Sequence, residues 1–269
     1  MARQVFSDNV VVITGGSSGI GREIAYQLCA QGARLVLAAR EPLLLEAVAA
    51  ECRRRGCQAI AVPTDVSVEA ECSALIARAV EEYGRIDTLV NNAGISMRAR
   101  FDELDSAEPA VRLMNINYLG SVYCTWHALP HLKRSRGRIV AISSLAGLTG
   151  VPTLSAYAAS KHAITGFFES LRPEIAADGV SITLVYPGFV ATDIAVRAIG
   201  PHGTTIGVRR VVRSKAMPVE ECAAKVIGAA SHRRRDVVMT TRGKVGQWIK
   251  LIAPAAIDRM TARAVERGW

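Results

Sequence analysis

The sequence has no run of about 18 apolar residues, so no membrane-spanning helix is expected. It lacks a basic start followed by an apolar stretch and a small-residue cleavage site. No secretory leader is therefore expected, and a cytoplasmic location is the default. The six cysteines, Cys29, Cys52, Cys57, Cys72, Cys124 and Cys222, form no C-x-x-C pair and no Cys/His cluster with zinc-ligand spacing. They read as small buried thiols in a reducing compartment, and no metal site is expected. Acidic residues are scarce at one end. Residues 194–269 hold 15 Lys and Arg against 5 Asp and Glu, a net of +10, whereas residues 1–193 hold 18 against 19, a net of −1. Such a basic region suits nucleic acid, an anionic lipid surface, an acidic ligand or plain solvent. No recognised nucleic-acid motif accompanies it, so nucleic acid is not expected as a partner.

What is present describes a large packed domain. The chain has 269 residues, 50% of them hydrophobic and 21% charged, which excludes wholesale disorder. No linker or internal repeat divides it, so a single domain over residues 1–269 is expected. Short apolar runs at Val10–Thr14, Leu35–Ala38, Ala59–Val62, Ile86–Asn91, Arg138–Ser143, Val180–Tyr186 and Asp236–Thr240 read as strands. Helical patterns separate them, at residues 20–31, 42–55, from an N-cap at Ser67 to Tyr83, 109–133, 157–177 and 218–231. Nearly all-apolar strands alternating with helices imply a parallel sheet of about seven strands, covered on both faces: a doubly wound α/β fold. Residues 194–216 form a Gly- and Arg-rich stretch, expected to be a lid, with Arg197, Arg209, Arg210, Arg213 and Lys215. Residues 242–269 read as a helical extension interrupted by Pro254. In it Val245, Trp248, Ile249 and Ile252 follow one helical stripe. That stripe packs on the core or a partner subunit, or else touches an anionic membrane through Trp248 with Arg242, Lys244 and Lys250.

The first strand ends in Thr14-Gly15-Gly16-Ser17-Ser18-Gly19-Ile20-Gly21 and runs into a helix. Glycines allow a tight turn and close backbone approach, and the helix N-terminus offers N–H groups to phosphate. Asn91-Asn92-Ala93-Gly94 closes the fourth strand and Ser143-Ser144 the fifth. Asn117 lies in the long helix, Tyr157-Ala-Ala-Ser-Lys161 opens the next, and Pro187-Gly188 follows the sixth strand. In this order the motifs resemble the classical short-chain dehydrogenase/reductase family over roughly residues 8–195.

Tyr157 and Lys161 are four apart and share a helix face. A neighbouring ammonium is expected to lower the phenol pKa, so that Tyr157 acts as acid towards a carbonyl oxygen or base towards an alcohol. The resemblance implies that Ser144 binds the substrate oxygen and that Asn117 connects Lys161 to solvent through a water. It implies cofactor contacts from Gly15, Ser17, Ser18, Gly19, Ile20 and Gly21, from Asp65, Val66, Asn91, Ala93 and Gly94, from Tyr157 and Lys161, and from Pro187, Gly188, Val190 and Thr192. Among these Asp65 would accept from the adenine amino group, and Thr192 would contact the nicotinamide carboxamide. The second strand ends in Ala39-Arg40 where NAD-binding folds place a carboxylate. A guanidinium there favours a 2′-phosphate, hence NADP(H). Leu145, Leu148, Val151 and Leu154, with Ile95 and Met97, suggest an apolar pocket in which Ser144, Leu145, Leu154 and Tyr157 meet the substrate. The expectation is an NADP(H)-dependent oxidoreductase of a lipophilic carbonyl/alcohol pair. A homodimer or homotetramer is implied by resemblance. The rival reading is a nucleotide-sensing protein that keeps the site without turnover.

Overall fold

The computed structural model describes residues 5–207 and 216–266. Its strands are β1 (Val10–Thr14), β2 (Arg34–Ala39), β3 (Ala59–Pro63), β4 (Thr88–Asn91), β5 (Arg138–Ile142), β6 (Ser181–Tyr186) and β7 (Asp236–Val238). All pair in parallel, in the order β3-β2-β1-β4-β5-β6-β7. The helices are α1 (Gly19–Cys29), α2 (Pro42–Arg54), α3 (Glu69–Tyr83), α4 (Glu108–Leu113), α5 (Gly120–Ser135), α6 (Ser155–Glu174), α7 (Val219–Ser231), α8 (Thr241–Ile252) and α9 (Pro254–Glu266). Among the described residues no helix is long and apolar enough to cross a membrane.

Alternation along the buried strands builds two cores. Val11 and Ile13 of β1 face one way, against Ile24 and Leu28 of α1, Leu45 and Val48 of α2, and Val226 of α7. Val10 and Val12 face the other way, with Leu75 of α3, Leu132 of α5 and Phe168 of α6. Both sets are buried, so every residue of β1 is apolar up to Thr14. The chain leaves β1 for one face and β4 for the other, which opens a crevice at the carboxyl ends of the strands.

Two local expectations change. Ser67 does not cap α3. Its N–H and hydroxyl both donate to Asp65 Oδ1, at 2.9 and 2.6 Å, and Val68 in extended conformation takes the N-cap position. The short Asp side chain holds Ser67 in a local turn ahead of the helix, so its hydroxyl donates to Asp65 rather than accepting from an N–H of the first turn of α3. β7 stops at Val238 because Thr240 serves α8 instead, its Oγ1 accepting from Gly243 N at 3.0 Å. The expected lid cations Arg209, Arg210, Arg213 and Lys215 lie outside the described residues. All six cysteines are free and buried.

The start of the sheet depends on one carboxylate. Asp87 Oδ2 accepts from Val10 N at 2.9 Å inside the core, and Arg85 pairs with Oδ1. Asp87→Ala strands the Val10 donor and should destabilise the fold by about 2–3 kcal/mol. Urea denaturation reads this, with Asp87→Asn expected to lose less.

Candidate active site

The Gly-rich turn folds as its residues require. Gly19 has φ +53°, a left-handed value. A Cβ on Gly21 would collide with the Gly15 carbonyl and the Asn92 side chain. Ser18 stands at the N-cap of α1 without a side-chain cap bond, and no acid lies in the first turn. The first N–H groups of α1 thus face the crevice with no carboxylate competing for them. The turn is tied to the loop after β4. Thr14 Oγ1 accepts from Asn92 N and Ala93 N, both at 3.0 Å, and Asn92 Nδ2 donates to Thr14 O and Gly15 O. Thr192 reaches the turn from after β6, its Cγ2 lying 3.3 Å from where a Gly19 Cβ would stand. This cradle fits a dinucleotide pyrophosphate.

At the outer end of the crevice, Arg40, Asp65, Ser67, Glu108, Arg112, Asn115 and Ile116 line a polar cavity. Burial pushes the Asp65 carboxyl up, but the Ser67 bonds and the Arg40 and Arg112 charges outweigh it and hold the carboxyl below its ordinary range. Arg112 was not expected from the sequence. It enters because α4 runs past the end of β2, a neighbour relation that no local motif carries. Val66 is buried beneath this region. Asn91 turns inward, its Nδ2 donating to Thr125 Oγ1 at 3.0 Å, so only its backbone lies at the crevice side of β4.

The expected catalytic residues converge. Asn117 sits in a π-helical stretch, Met114–Leu119, between α4 and α5. Such a widened turn recurs at functional sites and re-aims side chains. Here Asn117 Oδ1 accepts from Ile95 N at 2.8 Å, and its Nδ2 donates to Ile95 O at 3.0 Å and Ser160 Oγ at 2.9 Å. A Cβ on Gly94 would lie 3.2 Å from Asn117 Oδ1 and 3.5 Å from Lys161 Nζ, so the three meet at one point. Ser160, unforeseen, links Asn117 to the Tyr157 carbonyl, to which its hydroxyl donates at 2.8 Å. Ser143 points away from the site, its Oγ donating to Lys161 O at 3.1 Å. Ser144 Oγ accepts from Ala146 N and hydrogen-bonds the Tyr157 side chain.

One electrostatic expectation is corrected. Lys161 does not bring the Tyr157 phenol down. Burial pushes that phenol above its ordinary value, and the Ser144 bond only partly offsets this. Lys161 Nζ lies 5.8 Å from the Tyr157 ring centre and donates to Ile142 O at 2.9 Å. Burial pushes the lysine itself down to about 8. Desolvation of both groups exceeds their mutual attraction at this separation.

The packing beside Tyr157 is apolar. Met97, Ala99, Leu113 and Ile199 form a small buried cluster, against which Ile95, Leu104, Ala156 and Tyr157 pack. Ile199 belongs to the lid stretch, stitched down by Ile199 N to Ser96 O at 2.9 Å and Arg98 N to Ile199 O at 2.8 Å. Leu145 and Leu148 pack partly buried on the second core, and Leu145 N donates to Pro187 O at 3.0 Å. Leu154 stands at the N-cap of α6, and Val190 bridges to Met217. Gly188 packs against Thr240, and Arg197 Nη1 reaches to 3.5 Å from Ser18 Oγ.

Known proteins resemble this chain over most of its length. The family model described as short chain dehydrogenase matches residues 9–199. The chain is 36% identical over 249 residues to 11-beta-hydroxysteroid dehydrogenase-like 4A of Arabidopsis thaliana, covering 91% of this chain and 81% of that protein. It is 38% identical over 255 residues to 11-beta-hydroxysteroid dehydrogenase A of Sesamum indicum, covering 93% and 73%. A crystal structure of a short chain dehydrogenase/reductase from Burkholderia phymatum in complex with NAD superposes with a TM-score of 0.79 at 30% identity, covering 88% of this chain and 90% of that one.

The buried lysine has a consequence for pH. The unfolded chain holds the Lys161 proton up to 10.5, whereas the folded chain releases it near 8. Between those values the unfolded state binds more protons, so this group's contribution to stability rises with pH. The unfolding free energy of the wild type relative to Lys161→Met should therefore climb from pH 8 towards 10.5. Denaturant titrations of both proteins across that window check it, and a flat difference would contradict the burial.

Proposed function

The chain belongs to the short-chain dehydrogenase/reductase family, and on that premise we propose that it is an NADPH-dependent reductase of lipophilic ketones or aldehydes. Members of this family are oxidoreductases that work with a nicotinamide cofactor on carbonyl/alcohol pairs. The observation that carries the reaction is the meeting of Ser144, Tyr157, Lys161 and Asn117 at the mouth of the crevice. The bound nicotinamide supplies the hydride. Ser144 holds the substrate oxygen beside Tyr157, and Tyr157 donates the proton to it. Burial favours the protonated form of the phenol, which suits an acid. Lys161 would hold the cofactor ribose and resupply the proton to Tyr157, and Asn117 would join Lys161 to solvent.

The remaining parts of the reading rest on composition at two places. Ala39 and the exposed Arg40 leave the end of β2 without a carboxylate and with a cation, which supports NADP(H). The Burkholderia protein holds NAD, so cofactor choice here turns on this chain's own residues. The partly buried Ile95 and Leu104, packed with Tyr157 on one apolar cluster, support a lipophilic substrate. The printed names of the plant relatives point the same way. We place the enzyme in the cytoplasm as a homodimer or homotetramer. Trp126 of α5, 70% exposed, offers self-association an apolar anchor.

An NADPH-oxidation screen over ketones graded in size and charge tests the proposal, with turnover expected to rise with apolar bulk. Absence of turnover for every carbonyl would sink it in favour of a nucleotide-sensing role. In the active enzyme Tyr157→Phe should lower kcat roughly 10²–10⁴-fold and leave NADPH affinity nearly intact. Arg40→Asp should weaken NADPH binding by about 10–100-fold, the worth of a charge-assisted bond, and improve NADH. Fluorescence titration of each nucleotide reads both.

A further inference from the structure

α8 leaves the carboxyl end of β7, and in a parallel sheet that is the end which carries Tyr157 and the Gly-rich turn. An amphipathic helix at such a place ordinarily closes its apolar stripe onto the core. This one does not. No residue of α8 is buried. Val245, Trp248, Leu251 and Ile252 are 51%, 69%, 77% and 82% exposed. At 3.6 residues per turn they fill an arc of roughly 120° on one side of the helix. The helix is nonetheless held firmly on its other side. Thr240 caps it, Gly243 sits directly against Leu145 and Val238, and Lys250 Nζ donates to Leu148 O at 2.6 Å. The outward face is therefore a fixed platform beside the loop that borders Tyr157.

Charge decides what meets that platform. From Thr241 to Ile257 there is no acidic residue, and Arg242 and Lys244 on the first turn of α8 are exposed, with no ion-pair partner among the described residues. If a second copy covered the face about a twofold axis, the same patch would meet itself, and these cations would face cations. An apolar arc with a Trp, bordered by cations and free of acids, matches a helix lying in an anionic headgroup layer. Phe189 and Ile194, also exposed, follow β6 at the same end of the sheet.

We propose that α8 docks the protein on an anionic bilayer surface, with Trp248, Leu251 and Ile252 in the headgroup layer and Arg242 and Lys244 on lipid phosphates. Docking presents the Tyr157 end of the sheet to the bilayer. Its use as a route for substrate rests on the lipophilic-carbonyl reading, whereas the docking itself does not.

Co-sedimentation of the full chain with phosphatidylcholine vesicles, with and without phosphatidylserine, tests this. The protein should pellet with the phosphatidylserine vesicles at low salt, stay in solution with phosphatidylcholine alone, and be released as salt rises. Removing each cation, as Arg242→Gln and Lys244→Gln, should weaken partition about fivefold. Joint replacement of Trp248, Leu251 and Ile252 by Ser should abolish pelleting while the thermal midpoint holds, since all three side chains are exposed. The cation variants keep the apolar face intact and so guard against a folding artefact. No pelleting at low salt, equal pelleting on both vesicles, or undiminished pelleting by the triple-Ser variant would overturn the proposal. So would a wild-type oligomer that the triple-Ser variant dissociates in sedimentation velocity, which would assign the face to a second copy. Pelleting is read without turnover. A protein that pellets but reduces no ketone defeats the functional reading alone, and one that reduces ketones without pelleting defeats the docking alone.

Discussion

The Thr14 hydroxyl joins two loops that the sheet would otherwise send apart. β1 hands the chain to one face and β4 to the other, and the crevice opens between them. Thr14 Oγ1 donates to Val90 O and accepts from Asn92 N and Ala93 N, so its single donor and both lone pairs are engaged. Asn92 returns two bonds to Thr14 O and Gly15 O. The Gly-rich turn and the 91–94 loop are therefore one unit. Gly94, the last residue of that loop, stands against Asn117 and Lys161. The Gly-rich turn and the meeting point of Asn117 and Lys161 are thus tied to one another through Thr14 and the 91–94 loop.

Lys161 is the most costly member of this arrangement. A buried ammonium loses its hydration, and the Ile142 carbonyl is its one described hydrogen-bond acceptor. Burial lowers its proton affinity as a result. The surroundings reflect that constraint. Ser143 binds the Lys161 carbonyl, Gly147 lets the 145–147 turn lie directly on that carbonyl, and Asn117 closes the other side through Ser160. The scaffold holds the lysine in place from its backbone, leaving the side chain to face the crevice.

Much of this was legible in the residues. The bounds of β1 are legible to the residue, because four apolar residues and a Thr running into a Gly-rich turn allow few alternatives. The pairing of Tyr157 with Lys161 followed from helical spacing. Where the reading failed, a competing contact decided. Ser67 has the residue type of a cap, but Asp65 holds it in a turn ahead of α3, where its oxygen meets no N–H of the first helical turn. The sign at Tyr157 was misjudged because spacing gives proximity but not desolvation. The π-helical stretch around Asn117 has no local sequence signal, since it answers to the 95–97 segment packed on it. Arg112 joins Arg40 only once α4 is placed across the end of β2. The stripe on α8 was visible, but periodicity does not say whether the fold supplies a surface to receive it.

Two of the molecule's groups of cations lie at different parts of the sheet and have different counterparts. Arg40 and Arg112 stand at the β2 side, within reach of Asp65 and Glu108, in the portion of chain whose net charge is −1. Arg242 and Lys244 stand at the β7 edge, in the portion whose net charge is +10. Four strands separate β2 from β7 in the sheet order, a distance of roughly 24 Å at about 4.8 Å per strand spacing. That exceeds the screening length of about 8 Å at physiological salt. The Arg40–Arg112 pair and the Arg242–Lys244 pair are therefore electrostatically independent at that ionic strength. The β2 pair, balanced by nearby carboxylates, suits a ligand read at close range by geometry. The unbalanced β7 group suits one met as a surface, where the sum of charge matters more than the placement of any single cation.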